Sequence, residues 1–179
     1  VDDIPDDKKP DHARVGEVLY RTAKELQGYI SKLEEIRVPV IAAVHGGVIG
    51  GALDLITACD MRFASNDAFF CIQEINIGMA ADVGTLQRLP KIIPDSKMRE
   101  MAYTGRRMLA DEAKDSGLVG EIYETQDEML DAVHKLAAEI ASKSPVAIYG
   151  LKAVMNYSRD HNVSDSLDFN ALWSGAMLS

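Results

Sequence analysis

The stretch Val40–Asp60, VIAAVHGGVIGGALDLITACD, decides the fold class of this protein. Its first five residues form a short apolar run of the kind found in buried strands, and the glycines that follow break this run. A second glycine pair, Gly50 and Gly51, then opens an apolar helix that extends to about Ala58. Strand, glycine turn and helix follow one another directly, and this order indicates an α/β protein.

The glycine turn is a candidate site for a negatively charged group. The first N–H groups of a helix have no partner inside the helix, and the aligned peptide dipoles place a partial positive charge there. Because glycine also lets a ligand approach the backbone closely, the turn suits an anion or a developing oxyanion. The alternative is that the glycines only allow close packing of strand and helix. Gly47, Gly50 and Gly51 lack the spacing of a dinucleotide fingerprint, and the lysine of a P-loop is missing.

Three carboxylates follow the turn and are candidates for acid–base chemistry. Asp54 lies in the first turn of the predicted helix. The alternative to a catalytic role is a favourable interaction with the helix dipole. Glu74 interrupts an apolar, strand-like run, where burial of a carboxylate is costly unless it has a partner or a function. The alternative is that Glu74 lies at an exposed edge of the sheet. Asp82 precedes a short helix and is alternatively its N-cap. Proton transfer at carbon requires two positioned carboxyl groups, one ionised and one protonated, and these three residues offer them.

The remaining sequence mixes strands and helices up to about residue 125 and is helical beyond it. Apolar residues at three- and four-residue steps predict a helix over 12–36, which ends before the proline at position 39. Further strands are predicted over 61–64, 68–75 and 118–123. Further helices are predicted over 82–89, 96–104, 111–116, 127–142, 145–159 and 164–178. We therefore predict an α/β core over 1–125, with 1–11 as a mobile surface segment, and a helical subdomain over 126–179.

The composition argues against several classes of function. The chain has 179 residues, 47% of them hydrophobic and 26% charged, which is ordinary for one globular domain. The formal net charge of −9 argues against nucleic acid or an anionic membrane as the main partner. The two cysteines cannot form a disulfide framework and have no metal-ligand spacing, so no metal is predicted. No apolar run approaches the roughly 18 residues of a membrane span.

Longer blocks of the sequence resemble the crotonase (enoyl-CoA hydratase/isomerase) superfamily. The similarity includes VPVIAAVHGGVIGGALDLITACDMRFASNDAFFCIQEINIGMAADVGTLQRLP and continues through TGRRMLADEAKDSGLVGEIY and SKSPVAIYGLK. It covers roughly residues 37–179, and the predicted helix over 12–36 also fits. The resemblance implies a crotonase-type spiral of ββα units with a helical C-terminal subdomain, assembled as a homotrimer or homohexamer. It also implies that the N-terminal part of this fold is missing from the sequence.

The family resemblance implies an acyl-CoA thioester as substrate and no cofactor, because coenzyme A is part of the substrate. The N–H of Gly51 would be one of two donors to the thioester carbonyl oxygen, and Gly50 and Gly47 would contact the substrate. The second donor comes in this family from an Ala-x-Gly-x-Asp-Leu stretch, which the sequence does not contain. Arg88 and Lys152 are possible contacts of the CoA phosphates.

Within the family, the string AADVGTLQRLPK is most similar to the dienoyl-CoA isomerases. Those members have Asp, Glu and a further Asp where this chain has Asp54, Glu74 and Asp82, whereas hydratases have two glutamates and usually a small third residue. By the resemblance, Asp82 takes a proton from C2, Glu74 delivers one to C6, and Asp54 supports Glu74 through a hydrogen bond or its pKa.

The expected function is therefore the conversion of 3,5-dienoyl-CoA to 2,4-dienoyl-CoA in the β-oxidation of unsaturated fatty acids. For a eukaryotic source, the resemblance implies a mitochondrial or peroxisomal location. An enoyl-CoA hydratase and a non-catalytic subunit with the crotonase fold are the alternatives, and Asp82 is the residue that distinguishes the isomerase from the hydratase.

Overall fold

The computed structural model describes residues 11–177, and within them eight α-helices and six short strands confirm the α/β class. The helices are α1 (His12–Glu35), α2 (Gly51–Thr57), α3 (Thr85–Arg88), α4 (Asp95–Thr104), α5 (Ala110–Asp115), α6 (Gln126–Ala141), α7 (Pro145–Asp160) and α8 (Val163–Met177). The strands are β1 (Ile41–Val44), β2 (Gly47–Ile49), β3 (Met61–Ser65), β4 (Phe69–Cys71), β5 (Arg107–Leu109) and β6 (Ile122–Tyr123). Two 3-10 helices cover Glu74–Ile77 and Leu89–Lys91.

The strands form two three-stranded sheets. In the first sheet, β3 lies between β1 and β6 and is parallel to both. In the second, β4 lies between a parallel β2 and an antiparallel β5, with Gly47 opposite Phe69 and Phe70 opposite Met108. The chain passes from the first sheet to the second through Gly46, whose φ of +62° favours glycine. The glycine-rich segment therefore joins the two sheets and then opens α2.

An apolar core lies between the sheets and the helices that cover them. Its fully buried side chains come from α2, β4, α4, β5 and the segment after α5, and they include Leu53, Phe70, Met101, Met108 and Leu118. Helix α6 packs on β1 and β3, whereas α7 and α8 pack on each other. The three C-terminal helices thus follow the α/β part as the sequence indicates, and the domain boundary between residues 125 and 126 stays a prediction.

Helix α1 begins at an N-cap and exposes most of its apolar stripe. The Asp11 carboxylate accepts the N–H of Ala13 at 3.0 Å, which caps the helix. Residues 1–10 of the predicted mobile segment lie outside the described residues. Within the described part no α1 residue is fully buried, and large apolar side chains such as Val18 and Leu19 are exposed. Helix α1 therefore contacts the rest of the chain through Leu33, which packs against the core, and through polar side chains.

Lys152 on α7 provides one of these polar contacts and lies in the interior. Its ammonium donates to the carbonyl oxygens of Leu33 at 2.6 Å and Val38 at 3.0 Å, and to the Asp60 carboxylate at 2.8 Å. The same Asp60 oxygen accepts the N–H of Val40 at 2.7 Å. All three ammonium donors are used, and the side chain is only 3% exposed. The suggestion that Lys152 contacts a CoA phosphate is therefore wrong.

Three parts of the structure differ from the prediction. Strand β4 ends at Cys71, so Glu74 opens a 3-10 helix and does not lie in a strand. Helix α3 begins at Thr85, three residues later than expected, and Pro90 lies inside a 3-10 turn. Strands β2 and β5 were not predicted, because each has three residues and depends on pairing with β4 for its stability.

Candidate active site

The glycine turn at the start of α2 presents one free backbone donor. Gly50 has φ +55° and ψ −120°, and its N–H donates to the carbonyl of Cys71 at 3.0 Å. In contrast, the N–H of Gly51 donates to no backbone or side-chain acceptor among residues 11–177. A Cβ at Gly51 would meet no atom within 4 Å other than its chain neighbours and its own helix backbone, so the side-chain face of this residue is open. Gly51 therefore meets the geometric requirement for a donor to a bound ligand.

Glu74 lies directly against this turn. Its Oε1 atom is 2.9 Å from the position that a Cβ on Gly50 would occupy. The carbonyl of Glu74 accepts the N–H of Met79 at 2.9 Å, and this bond closes the 3-10 turn that carries the side chain. Glu74 is half-buried and outside the sheet, so the alternative of an exposed edge position in a strand is wrong.

Asp54 is buried, with 1% of its surface exposed, and it connects α2 to α3. Its Oδ1 accepts the N–H of Thr85, the first residue of α3, at 2.6 Å. No hydrogen bond joins Asp54 to Glu74 within residues 11–177, so the expected support of Glu74 by a direct hydrogen bond is not found. Asp54 instead satisfies a backbone donor at the start of α3, where a helix has free N–H groups.

Asp82 lies in the loop before α3 with an exposed side chain. Gly84 is the N-cap of α3, so the alternative that Asp82 fills this position is wrong. In the described part of the chain the Asp82 carboxylate accepts no hydrogen bond. Its backbone carbonyl accepts one, from Nε2 of Gln27 at 2.7 Å. No local pattern in the sequence points to Gln27, because 55 residues separate the two partners.

Two contacts connect the three separate segments that carry Asp54, Glu74 and Asp82. Glu74 borders Gly50, the residue before the free N–H of Gly51. Asp54 is bonded to Thr85, only three residues after Asp82. The 3-10 turn that carries Glu74 and the start of α3, which follows Asp82, thus both contact α2, whose first residue has the free backbone donor. This arrangement suits transfer of protons at two different atoms of one ligand.

Gly47, the third glycine of the predicted site, has a clear packing role. A Cβ at this position would lie 2.9 Å from Cζ of the Phe69 ring on the neighbouring strand. The guanidinium of Arg107 covers the same ring at 4.2 Å from its centre. Close packing across β2 and β4 therefore accounts for glycine here, and contact between Gly47 and a substrate stays a prediction.

An apolar cavity of about 550 Å³ borders the loop that connects Glu74 to Asp82. Its walls include the neighbours of both carboxylates, Ile75 and Ala81. The other walls are formed by one charged residue, Arg99, which is paired with Asp95, and by Ile72, Gly78, Met79, Ala80, Leu86, Met98, Ala102 and Tyr103. A cavity with such walls suits a hydrocarbon segment better than a charged group, because burial of apolar surface is favourable and burial of charge is not.

Arg88 is engaged in a polar contact with α1. Its guanidinium donates to Oγ of Ser31 at 2.9 Å and to the carboxylate of Glu34 at 2.8 Å. Burial opposes the ionisation of Glu34, but hydrogen bonds from Arg88 and Arg159 outweigh it and hold the pKa of Glu34 below its usual value. Arg88 therefore connects α3 to α1. Because its guanidinium is already engaged there, this contact argues against the suggested role of Arg88 in binding the CoA phosphates.

Metal ions and membranes were not expected as partners. Among residues 11–177, no three His, Cys, Asp or Glu side chains come close enough together to hold a metal ion. In the same range, no helix combines the length and the apolar character needed to cross a membrane.

We expect Gly50→Ala to destabilise the protein by about 1–3 kcal/mol, because alanine is strained at this backbone conformation and its Cβ would press on Glu74. Urea unfolding followed by circular dichroism would measure the change. Gly51→Ala is the matched control, since its backbone is helical and its Cβ would meet open space. Equal stability of the two variants would contradict the close approach of Gly50 and Glu74.

Comparison with known proteins identifies the family. Residues 16–175 match the family model for enoyl-CoA hydratase/isomerase, and the chain belongs to this family. It is 50% identical over 169 residues to the mitochondrial Delta(3,5)-Delta(2,4)-dienoyl-CoA isomerase of Mus musculus, a match that covers 94% of this chain and 52% of that protein. It is 47% identical over 168 residues to the peroxisomal Delta(3,5)-Delta(2,4)-dienoyl-CoA isomerase of Arabidopsis thaliana, covering 94% and 60%.

Solved structures confirm the crotonase-type fold. A probable enoyl-CoA hydratase/isomerase from Mycobacterium abscessus superposes with a TM-score of 0.84 at 32% identity, covering 89% of this chain and 61% of that one. The enoyl-CoA hydratase of Bacillus anthracis superposes with a TM-score of 0.85 at 28% identity, covering 90% and 62%. The chain thus spans little more than half the length of the relatives that it matches.

Proposed function

We propose that the protein carrying this chain is a dienoyl-CoA isomerase that converts 3,5-dienoyl-CoA into 2,4-dienoyl-CoA. The observation that carries the proposal is the third carboxylate, Asp82, whose exposed side chain lies in the loop between the 3-10 helix of Glu74 and the start of α3. Hydration of a double bond needs two carboxyl groups around one water, whereas a shift of two double bonds needs proton transfer at two distant carbons. The 50% identity to a relative with this activity supports the same conclusion.

In the proposed reaction, Asp82 is the base that removes a proton from C2 of the substrate. The electrons of the C2–H bond form a dienolate that extends from the thioester oxygen to C6. The N–H of Gly51 donates to this oxygen and stabilises its negative charge. The lack of an acceptor for that N–H among residues 11–177 supports this role.

Glu74 then delivers a proton to C6, which leaves double bonds at C2 and C4. Its contact with Gly50 keeps the carboxyl group at the same turn as the oxyanion donor. Asp54 acts on the structure of the site, because its carboxylate fixes the start of α3 and so the end of the Asp82 loop. The cavity of about 550 Å³ along this loop supplies apolar surface for part of the acyl chain.

The partners and location of the complete protein belong to the same proposal. We infer an acyl-CoA thioester as substrate and assembly into a homotrimer or homohexamer. Exposed apolar side chains on the C-terminal helices, such as Leu151, Met155 and Leu172, are compatible with such contacts. The relatives from mouse and Arabidopsis are named mitochondrial and peroxisomal, so we propose one of these compartments for a eukaryotic source.

The direct test is to give the complete protein a 3,5-dienoyl-CoA and to follow the ultraviolet absorbance of the conjugated 2,4-dienoyl thioester. We expect this absorbance to rise. A parallel sample receives a 2-enoyl-CoA. Hydration of the 2-enoyl-CoA without formation of the 2,4-diene would instead favour the hydratase. A folded protein that is inactive with both substrates would favour a non-catalytic subunit.

A further inference from the structure

We propose that Gln27 is a positioning residue for Asp82. Its side-chain amide holds the peptide carbonyl of Asp82 and so fixes the place from which the carboxylate reaches the substrate. The inference rests on the proposed function, since it concerns the residue assigned there as the base. Gln27, a residue of α1 that is 55 residues away from Asp82 in the sequence, thus joins the residues that position the groups for proton transfer.

The hydrogen bond from Gln27 is the single one that restrains this loop. Nε2 of Gln27 lies 2.7 Å from the carbonyl oxygen of Asp82. Residues 80–83 make no other hydrogen bond, through backbone or side chain, with any residue in the range 11–177. Ala81 packs into the core and anchors the loop at one point. The orientation of the next peptide group therefore depends on Gln27.

The loop has little stiffness of its own. The 3-10 helix before it ends at Ile77, and regular structure resumes only at Thr85. Glycines with positive φ stand on either side, Gly78 at +75° and Gly84 at +142°. Because glycine is the residue with the widest choice of backbone angles, a loop between two such residues needs an external contact to hold one conformation.

Helix α1 is well suited to provide that contact. Gln27, Ser31 and Glu34 follow one another at steps of four and three residues and so lie on one helix face. Ser31 and Glu34 both accept hydrogen bonds from Arg88, at the end of α3. Helix α1 thus holds the segment from Asp82 to Arg88 at both of its ends.

The orientation of the Gln27 amide is itself defined. The ammonium of Lys24, one turn earlier on α1, donates to Oε1 of Gln27 at 3.1 Å. Since ammonium groups are only donors, the oxygen of the amide faces Lys24 and its NH₂ group faces the carbonyl of Asp82. The contact to Asp82 is therefore specific for a side chain that donates at this position.

The test compares two variants that remove the donor with one control. Gln27→Met keeps the length of the side chain, and Gln27→Glu keeps its shape, but an ionised glutamate cannot donate. We expect both to lower kcat for 3,5-dienoyl-CoA about tenfold, with KM changed less than about twofold, because small displacements of a catalytic group act on the chemical step. Gln87→Met is the control, since the Gln87 amide makes no hydrogen bond with the described residues.

A double-mutant cycle separates positioning from a general structural effect. If Gln27 acts through Asp82, then Gln27→Met causes no further loss in a protein that already carries Asp82→Asn. A loss of the same size in both backgrounds would overturn the proposal, as would a wild-type kcat in both Gln27 variants. Inactivity of the wild-type protein would refute the proposed function instead.

Hydrogen exchange tests the contact between Gln27 and Asp82 by a measurement that does not depend on enzyme activity. We expect the amide of Thr85, which donates to Asp54 directly after this loop, to exchange faster in Gln27→Met than in the wild type or in Gln87→Met. Unchanged exchange of this amide would show that the loop is held without Gln27, and it would overturn the proposal even if the function is right.

Discussion

Replacement of Asp82 by asparagine is expected to lower kcat for the isomerisation of 3,5-dienoyl-CoA by about 1,000-fold, within the range typical for loss of a general base. Asparagine has the same shape but cannot accept a proton. The stability of the protein should not change, because the Asp82 side chain is exposed and its carboxylate accepts no hydrogen bond within residues 11–177. The absorbance of the 2,4-dienoyl thioester measures the rate.

Asp131→Asn is the matched control for this variant. Asp131 is an exposed residue on α6, far along the chain from the candidate site, and the same loss of charge there should leave kcat unchanged. A second comparison uses 2-enoyl-CoA. The contradicting outcome is that Asp82→Asn keeps the wild-type rate with both substrates, in the hydration of 2-enoyl-CoA and in the isomerisation of 3,5-dienoyl-CoA. In that case Asp82 is not the base, and the assignment of an isomerase from three carboxylates is wrong.

Lys152→Met is expected to cause the largest loss of stability among the substitutions considered, about 3–5 kcal/mol. The ammonium of Lys152 binds Asp60 and two backbone carbonyls in the interior, so its removal leaves a partly buried carboxylate and two acceptors without this donor. Because domains are commonly stable by only about 5–15 kcal/mol, such a loss is a large part of the total. Urea unfolding of wild type and variant measures it.

Two further proteins show whether the buried charge is the cause. Lys135→Met removes a lysine from the exposed face of α6 and should be almost neutral. The double variant Lys152→Met with Asp60→Asn should recover part of the loss, since asparagine still accepts the N–H of Val40 and carries no charge. A double variant that is less stable than Lys152→Met alone would contradict the explanation by an unpaired Asp60.

The glycine turn links the two catalytic requirements of the proposed site. Gly50 permits the positive φ at the turn and leaves room for the Glu74 carboxyl group. The N–H of Gly51, the next residue, has no acceptor among residues 11–177. The two adjacent glycines thus bring the proposed acid, Glu74, and the proposed oxyanion donor to the same turn.

Elements with a strong local signal were predicted from the sequence. The helix of α1 follows from its apolar periodicity, and its observed bounds differ from the prediction by one residue at the C-terminal end. Gly117 follows the C-cap of α5 with a φ of +86°, the position and conformation in which a glycine commonly ends a helix. The order of strand β1, glycine turn and helix α2, and the crotonase family, were also evident from residues that are close together in the chain.

Only the tertiary structure decided which groups contact one another. Asp54 binds Thr85 and Gln27 binds Asp82 across 31 and 55 residues, and no local pattern encodes such a pair. Lys152 resembles a surface lysine in the sequence but lies in the interior, because its ammonium satisfies acceptors that meet there only after α1, β1 and α7 have packed. The sequence alone therefore determined the elements and the candidate carboxylates, because periodicity and turn chemistry are local. Their partners depend on long-range packing, which places distant residues within hydrogen-bond distance.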